Sequence, residues 1–513
     1  MTSTLIASFL IGATLVGACF WYRPSSSVPL PPGPRGNILF GCALEIRKSA
    51  AFWLDFAEYS KKYGPIITVR MLFQRMIIID DPKIVTYLFE KKAAQYSDRY
   101  VNQLAKLGGW DRDIIFIEYG PTLKHYRTLL QRALNNRVVL DYLPLQEYEV
   151  KRLLRRLFEA PEQFMRHIHL MAGSITVRMV YGYKVDSHND QLIQTAEKVM
   201  EIFSDVTSPG RWMVEVFPLL RFIPTWFPGV TFRKALKAWT PVIHAHENEP
   251  FDFVKRQLAS GAAEESFTSK LLRPENGGEV TSEEELHIKN VASSLYGAGS
   301  DTTVSAVQSF FLAMTLYPDV QAKAHAEITS YLQLRPSSTQ FITMADRSNL
   351  PYTSALVREL LRWHPVLTLV AHRTNGEDDN NVVVNGNIYR IPAYTTVIVN
   401  VWKLLHNPDV YPDPEKFIPE RYLVENPPPD PESYAFGFGR RICPGMHVAQ
   451  QSMWLSISNI LLNFAVAKAK DNNGVEITPG EQYTNDIITH PAPFKCCIRP
   501  REGRGEWLFG MDI

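Results

Sequence analysis

The chain has 513 residues, 45% of them hydrophobic, and a net formal charge of +1. That is enough apolar side chain for a large buried core, and the mixed charges, without long single-sign blocks, leave no electrostatic footprint for nucleic acid. Five cysteines, an odd and sparse set with no C-x-x-C pair, exclude a disulfide framework and serve zinc ribbons or iron–sulfur clusters poorly.

Residues 4 to 22, "TLIASFLIGATLVGACFWY", carry no charge. As a helix rising 1.5 Å per residue they would span about 28 Å, close to a bilayer core. Trp21 and Tyr22 sit where aromatic belts lie, and Arg23 and Arg35 follow while the short tail before has no Lys or Arg. The positive-inside rule then puts the body of the chain in the cytosol. Residues 1–23 are therefore expected to be a membrane anchor and 24–39, "PSSSVPLPPGPRG" within it, a proline-stiffened neck. Residues 40–513 are expected to be one large domain, mainly α with small β-sheets.

Helical periodicity predicts helices over 50–63, 81–94, 121–160, 162–182, 188–206 and 232–260. Ser282, three residues before Glu285, has capping-box spacing and opens a long apolar helix that ends before Pro318. A further helix starts at Pro351, a good first-turn residue, and stops before Pro365. Strands are expected in "PIITVRMLFQRMIIID" and in 381–401. The chain is proline-rich and irregular from 406 to Cys443, then helical over 444–465, with a terminal hairpin over 483–499.

The sharpest local pattern is "FGFGRRICPG", 436 to 445. Gly437, Gly439 and Gly445 let backbone approach something closely, Arg440 and Arg441 offer cationic forks, and Cys443 before a helix offers a soft ligand once deprotonated. The spacing Phe436, Gly439, Arg441, Cys443, Gly445 resembles the heme-binding loop of the cytochrome P-450 monooxygenases, the family in which a cysteine thiolate holds heme iron. Three more motifs resemble it in the expected order. "AGSDTT" (298–303) interrupts the long apolar helix with polar residues. By resemblance, Ala298 and Gly299 lie against the heme, and Asp301 and Thr302 form an acid–alcohol proton relay. "ELLR" supplies Glu359 and Arg362 on one helix face, and "FIPERY" supplies Arg421 as third member of a buried structural triad. In "AHR", Arg373 is implied to reach a heme propionate. Arg127 is implied to do the same from an early helix. Leu123 stands where the family commonly has tryptophan, leaving Tyr126 or Lys124 as substitute donor.

The resemblance covers nearly the whole chain, closest to fungal microsomal members of secondary metabolism. It implies the cytochrome P-450 fold behind one N-terminal transmembrane helix. It implies heme b (iron protoporphyrin IX) on the Cys443 thiolate, electrons from NADPH through a cytochrome P-450 reductase with a cytochrome b-type donor as further partner, and residence in the endoplasmic reticulum membrane, single-pass, facing the cytosol. Leu295, Tyr296, Leu367, Leu369, Val370, Ile487 and Ile488 match substrate-contact regions of the family. They are largely apolar, so the expected substrate is a lipophilic small molecule, a terpenoid first. The alternatives are an aromatic polyketide or indole hydroxylase, and a heme-thiolate isomerase or dehydratase that needs no reductase. Residue pattern alone does not choose the substrate, its regiochemistry or the number of successive oxidations.

Overall fold

The computed structural model describes residues 27–511 except 38–39, 47, 72–73, 209, 224–230, 275–277 and 336–339. The anchor expected at 1–23, with Trp21, Tyr22 and Arg23, and the first residues of the neck lie outside the described residues. Among the described residues no helix is long and apolar enough to cross a membrane. From Val28 to Arg35 the neck runs extended, and Thr68 N and Oγ1 donate to the carbonyls of Pro32 and Pro31 (2.8 Å each).

Among the described residues the body is mainly helical, as expected, and its small sheets number three. The principal helices are α1 (Phe52–Tyr63), α2 (Pro82–Thr86), α3 (Pro121–Leu134), α4 (Leu143–Glu159), α5 (Phe164–Tyr181), α6 (Gln191–Thr207), α7 (Phe232–Ser260), α8 (Ser282–Leu316), α9 (Pro318–Leu334), α10 (Pro351–Trp363) and α11 (Met446–Asn463). The continuous pattern over 121–160 breaks in two. Asn135 turns its side chain onto the N–H groups of Arg137 and Val138, a 3-10 turn follows, and Pro144 is tolerated only in the first turn of the next helix. The pattern over 81–94 yields α2 and one π turn, Tyr87–Lys91.

Helix α8 is the axis of the molecule. Its cap is Thr281, whose hydroxyl accepts from Glu284 N at 3.2 Å, so the cap lies one residue before the expected Ser282–Glu285 pair. From Ile288 to Thr315 nearly every side chain is buried, which is what a helix apolar almost all round requires. Residues of α4, α5, α8, α9, α10 and α11, among them Leu153, Met171, Phe310, Leu360 and Trp454, share one core. The α5–α8 crossing is tight: a methyl at Gly299 would stand 2.8 Å from the Thr176 side chain.

The main sheet runs β1–β2–β6–β3, with β1 (Ile66–Met71) antiparallel to β2 (Gln74–Ile79), β2 parallel to β6 (Thr396–Asn400), and β3 (Leu369–Arg373) antiparallel to β6. Strands β4 (Asp379–Val384) and β5 (Asn387–Ile391) form a hairpin. The expected terminal hairpin over 483–499 is not formed. Instead β7 (Phe464–Lys470) pairs with β9 (Cys496–Pro500), with β8 (Glu476–Ile477) on its other edge. Residues 483–491 contribute only the single bridge Tyr483–Pro491, because Pro491 and Pro493 cannot donate to a ladder.

Glu359, Arg362 and Arg421 meet as expected. Arg362 grips Glu359 with two bonds, 2.8 and 2.9 Å, and Arg421 Nε donates to both carboxylate oxygens at 3.1 and 3.2 Å. Ile418 N adds a fifth bond to Glu359 at 2.8 Å, and further guanidinium N–H groups reach the carbonyls of Leu405, Lys416 and Pro412. The cluster is buried and saturated, and it ties α10 to the irregular segment that leads into the cysteine loop. Arg362→Ala would leave the Glu359 carboxylate half-compensated in the core, a loss of about 3–5 kcal/mol. Denaturant unfolding checks this, and an unchanged midpoint would contradict it.

Candidate functional site

The loop from Phe436 to Gly445 is shaped by its backbone. Gly439 sits at φ +54°, with Phe89 O only 2.0 Å from where a Cβ would stand. Phe438 stacks on Phe89 at 5.9 Å, and Cys443 N donates to Phe436 O at 2.8 Å. Helix α11 begins at Met446, so Cys443 lies just before it, with the N–H of Gly445 directed at its sulfur. Burial pushes the thiol up, against that N–H and the charge of Arg127. A metal cation at the sulfur would favour the thiolate.

Cys443 opens on a mostly apolar cavity of about 290 Å³. One wall is α8, through a stripe spaced by four: Ser294, Ala298, Thr302 and Ala306. Phe436 and Arg441 line the cavity from the loop, Leu123 and Arg127 from α3, Leu367 and Val370 from β3 and the turn before it, and Ile487 and Ile488 from the C-terminal segment. Trp110, Phe116, Val199, Phe203, Leu361 and Val366 complete its apolar surface. Helix α8 runs through "AGSDTT" without a break, and Thr302 returns its hydroxyl to Ala298 O at 3.1 Å.

Positive charge is concentrated in this cavity. Arg99, Arg127 and Arg441 all line it, and burial lowers all three, Arg99 to about 10 and Arg441 to about 9. Arg441 donates to the carbonyls of Ser97, Ile114 and Ile117, and Arg127 to Ile442 O at 2.6 Å. Arg99 Nε is buried without a hydrogen-bond partner, and so is His372 Nε2, whose Nδ1 meets Tyr96 O at 3.0 Å. Three half-buried guanidinium groups beside a half-buried sulfur fit a flat apolar ligand bearing carboxylates and a thiophilic metal. Heme is such a group, and the residues present fit it.

Several expected site residues lie elsewhere. Gly299 faces α5, not the cavity; Gly297, two residues earlier, lines it. Leu295 is core, and Tyr296 is buried with its hydroxyl on Leu192 O at 2.6 Å, because each helical step turns the side chain by about 100°. Leu369 alternates away from Val370 onto the other face of the sheet. Arg373 also points away: its Nε donates to Tyr394 O at 3.3 Å, and its charge stacks between Tyr100 and Tyr394. His372, its neighbour, is buried on the same strand face as Val370, with its ring 4.3 Å from Phe89. Neither expected substitute for tryptophan enters the cavity. Tyr126 binds Asn290 Nδ2 at 3.0 Å, and Lys124 lies over Tyr119. Gly439 and Gly445 shape the loop without lining the cavity. Neither His372 nor His490 is singled out in the sequence, and nor is Arg99. It sits in an irregular stretch, and only the tertiary fold brings it beside Arg441.

Asp301 faces a second cavity of about 590 Å³, between α5, α6, α8 and the 486–490 segment. Its Oδ2 is 3.2 Å from His490 Nε2; His490 Nδ1 meets Gln308 Oε1 at 3.2 Å, and Gln308 Nε2 meets His169 Nε2 at 3.3 Å. Met200, Phe203, Ile487 and Ile488 border both cavities. Asp301 and Thr302 are thus adjacent in sequence but open onto different chambers.

The family model described as cytochrome P-450 matches residues 31–498. The chain is 38% identical to cytochrome P-450 monooxygenase 208 of Postia placenta, over 95% of this chain and 93% of the relative. It is 38% identical to cytochrome P-450 monooxygenase claR of Ampulloclitocybe clavipes, over 100% and 93%, and 36% identical to cytochrome P-450 monooxygenase ppsD of Aspergillus oryzae, over 92% and 89%. Gly439→Ala forces a left-handed residue and a backbone clash against Phe89, with strain alone worth about 1–3 kcal/mol. Its unfolding midpoint in denaturant should fall accordingly, and a wild-type midpoint would contradict the loop geometry.

Proposed function

The chain belongs to the cytochrome P-450 family and is a monooxygenase of that family; on that premise we propose that it oxygenates a hydrophobic small molecule, a terpenoid, in fungal secondary metabolism. The observation that carries this reading is the cavity itself. Aliphatic side chains (Val199, Leu361, Val366, Leu367, Val370, Ile487) line it together with Trp110, Phe116 and Phe203, and this apolar lining suits a hydrocarbon frame.

Cys443 Sγ would hold the heme iron, and Arg99, Arg127 and Arg441 would hold the propionates. Bound there, the heme supplies the activation of dioxygen that no side chain of the chain can provide. The chain's own residues do the rest. The apolar wall excludes water and orients the substrate. Thr302 presents a hydroxyl anchored to Ala298 O, and Asp301, hydrogen-bonded to His490, takes protons from the second cavity and passes them toward that hydroxyl. The overall balance is R–H plus O₂, NADPH and a proton giving R–OH, water and NADP⁺. The electrons come through a reductase, with a cytochrome b-type donor as a second source. The uncharged 4–22 segment supports a single-pass placement in the endoplasmic reticulum membrane with the body in the cytosol.

Incubation with reductase, NADPH and a panel of terpenes and aromatics under ¹⁸O₂ tests the substrate class. A terpene product bearing one labelled oxygen is expected; turnover confined to aromatics would overturn the terpenoid reading. Thr302→Ala should keep its heme content but divert reducing equivalents into hydrogen peroxide, measured as peroxide per NADPH consumed. An unchanged ratio would remove Thr302 from the proton path.

A further inference from the structure

Away from both cavities, α3 and the first turns of α8 bring two imidazoles and a carboxylate together. His125 Nε2 lies 2.7 Å from Glu284 Oε2, and the same oxygen lies 3.8 Å from His287 Nδ1. The three donor atoms all lie within 4.8 Å of one another. A tetrahedral zinc ion with bonds of about 2.0–2.1 Å holds its donor atoms about 3.3 Å apart, so the observed set needs only small side-chain rotations to accept one. A simple ion pair between His125 and Glu284 gives no role to His287, whose ring packs 5.1 Å from His125 and edge-on to Tyr126 at 5.5 Å. Tyr126 is itself fixed by Asn290 Nδ2 at 3.0 Å, so the second imidazole rests on a buried support.

We infer that His125, Glu284 and His287 form a binding site for a zinc-class divalent ion that clasps α3 to α8. Two neutral imidazoles with one carboxylate suit zinc and its neighbours, whereas magnesium and calcium prefer an all-oxygen set. The side chains are 38%, 33% and 22% exposed, so an ion can enter and a water can fill the fourth position. The N-terminal end of α8 carries a partial positive charge, but its first turn holds Glu283, Glu284 and Glu285, of which Glu285 is engaged by Lys255. The net field there favours a cation. Binding would join two elements of the cavity wall, since α3 carries Leu123 and Arg127 and α8 carries Ala298 and Thr302.

The test is zinc titration of chelator-treated holoprotein by calorimetry, with zinc-edge X-ray absorption on the one-equivalent complex. One equivalent bound with a dissociation constant in the micromolar range or below, a first shell of nitrogen and oxygen only, and a raised unfolding midpoint are expected. His125→Ala and His287→Ala should each weaken binding by at least the roughly tenfold that loss of a mere supporting partner costs, with zinc-free unfolding midpoints unchanged. Should either alanine variant fold poorly, Glu284→Gln tests the same ligand at constant size. No binding up to millimolar zinc, a sulfur-containing shell, or an isotherm unchanged in these variants would overturn the site.

Discussion

The constraint on which the rest of the site depends is buried positive charge without enough negative charge beside it. Arg99, Arg127 and Arg441 are drawn into one mainly apolar cavity, where desolvation works against all three. Backbone carbonyls satisfy Arg441 and Arg127, but Arg99 Nε and His372 Nε2 keep unspent hydrogen-bonding capacity. A fold retains such an arrangement when a ligand completes it, since an unpaired polar atom in a dry site is costly. The cysteine obeys the same logic: alone, its thiol is disfavoured as an anion, and a metal cation reverses that preference.

Helix α8 stands between two chambers. One stripe, Ser294, Ala298, Thr302 and Ala306, faces the apolar cavity, while Ser300 and Asp301 face the polar one. The substrate chamber can therefore stay dry while the acid keeps contact with His490, Gln308 and His169. Met200, Phe203, Ile487 and Ile488 form the partition, and their packing decides how separate the two chambers remain. The Glu359 cluster acts at a distance from both, by fixing the segment that delivers Phe436 to Cys443.

The cysteine loop was readable from sequence because its requirements are local. Gly439 must be glycine where Phe89 O approaches, and Cys443 must precede a helix start. The triad was readable because i, i+3 spacing sets Glu359 and Arg362 side by side, although Arg421 came only from family resemblance. Errors arose where one residue of phase matters. Leu369 and Val370, or Arg373 and His372, exchange faces on a strand with a single step. Leu295, Tyr296 and Gly299 sit on the wrong sides of a helix that is buried almost all round, so polarity gave no phase. Small residues every four positions were the available signal. Arg99 had none, because its neighbours are assembled from three distant segments. The 483–499 hairpin failed because its prolines remove the donors a ladder needs.

The account's central claim is that Cys443 binds heme iron as a thiolate. It is tested most directly by the carbon monoxide difference spectrum of the dithionite-reduced, purified protein. The account predicts the red-shifted Soret band that an anionic sulfur ligand produces, and its loss in Cys443→His with heme still bound. A folded, heme-loaded wild type that shows only the band of a neutral nitrogen ligand would contradict it.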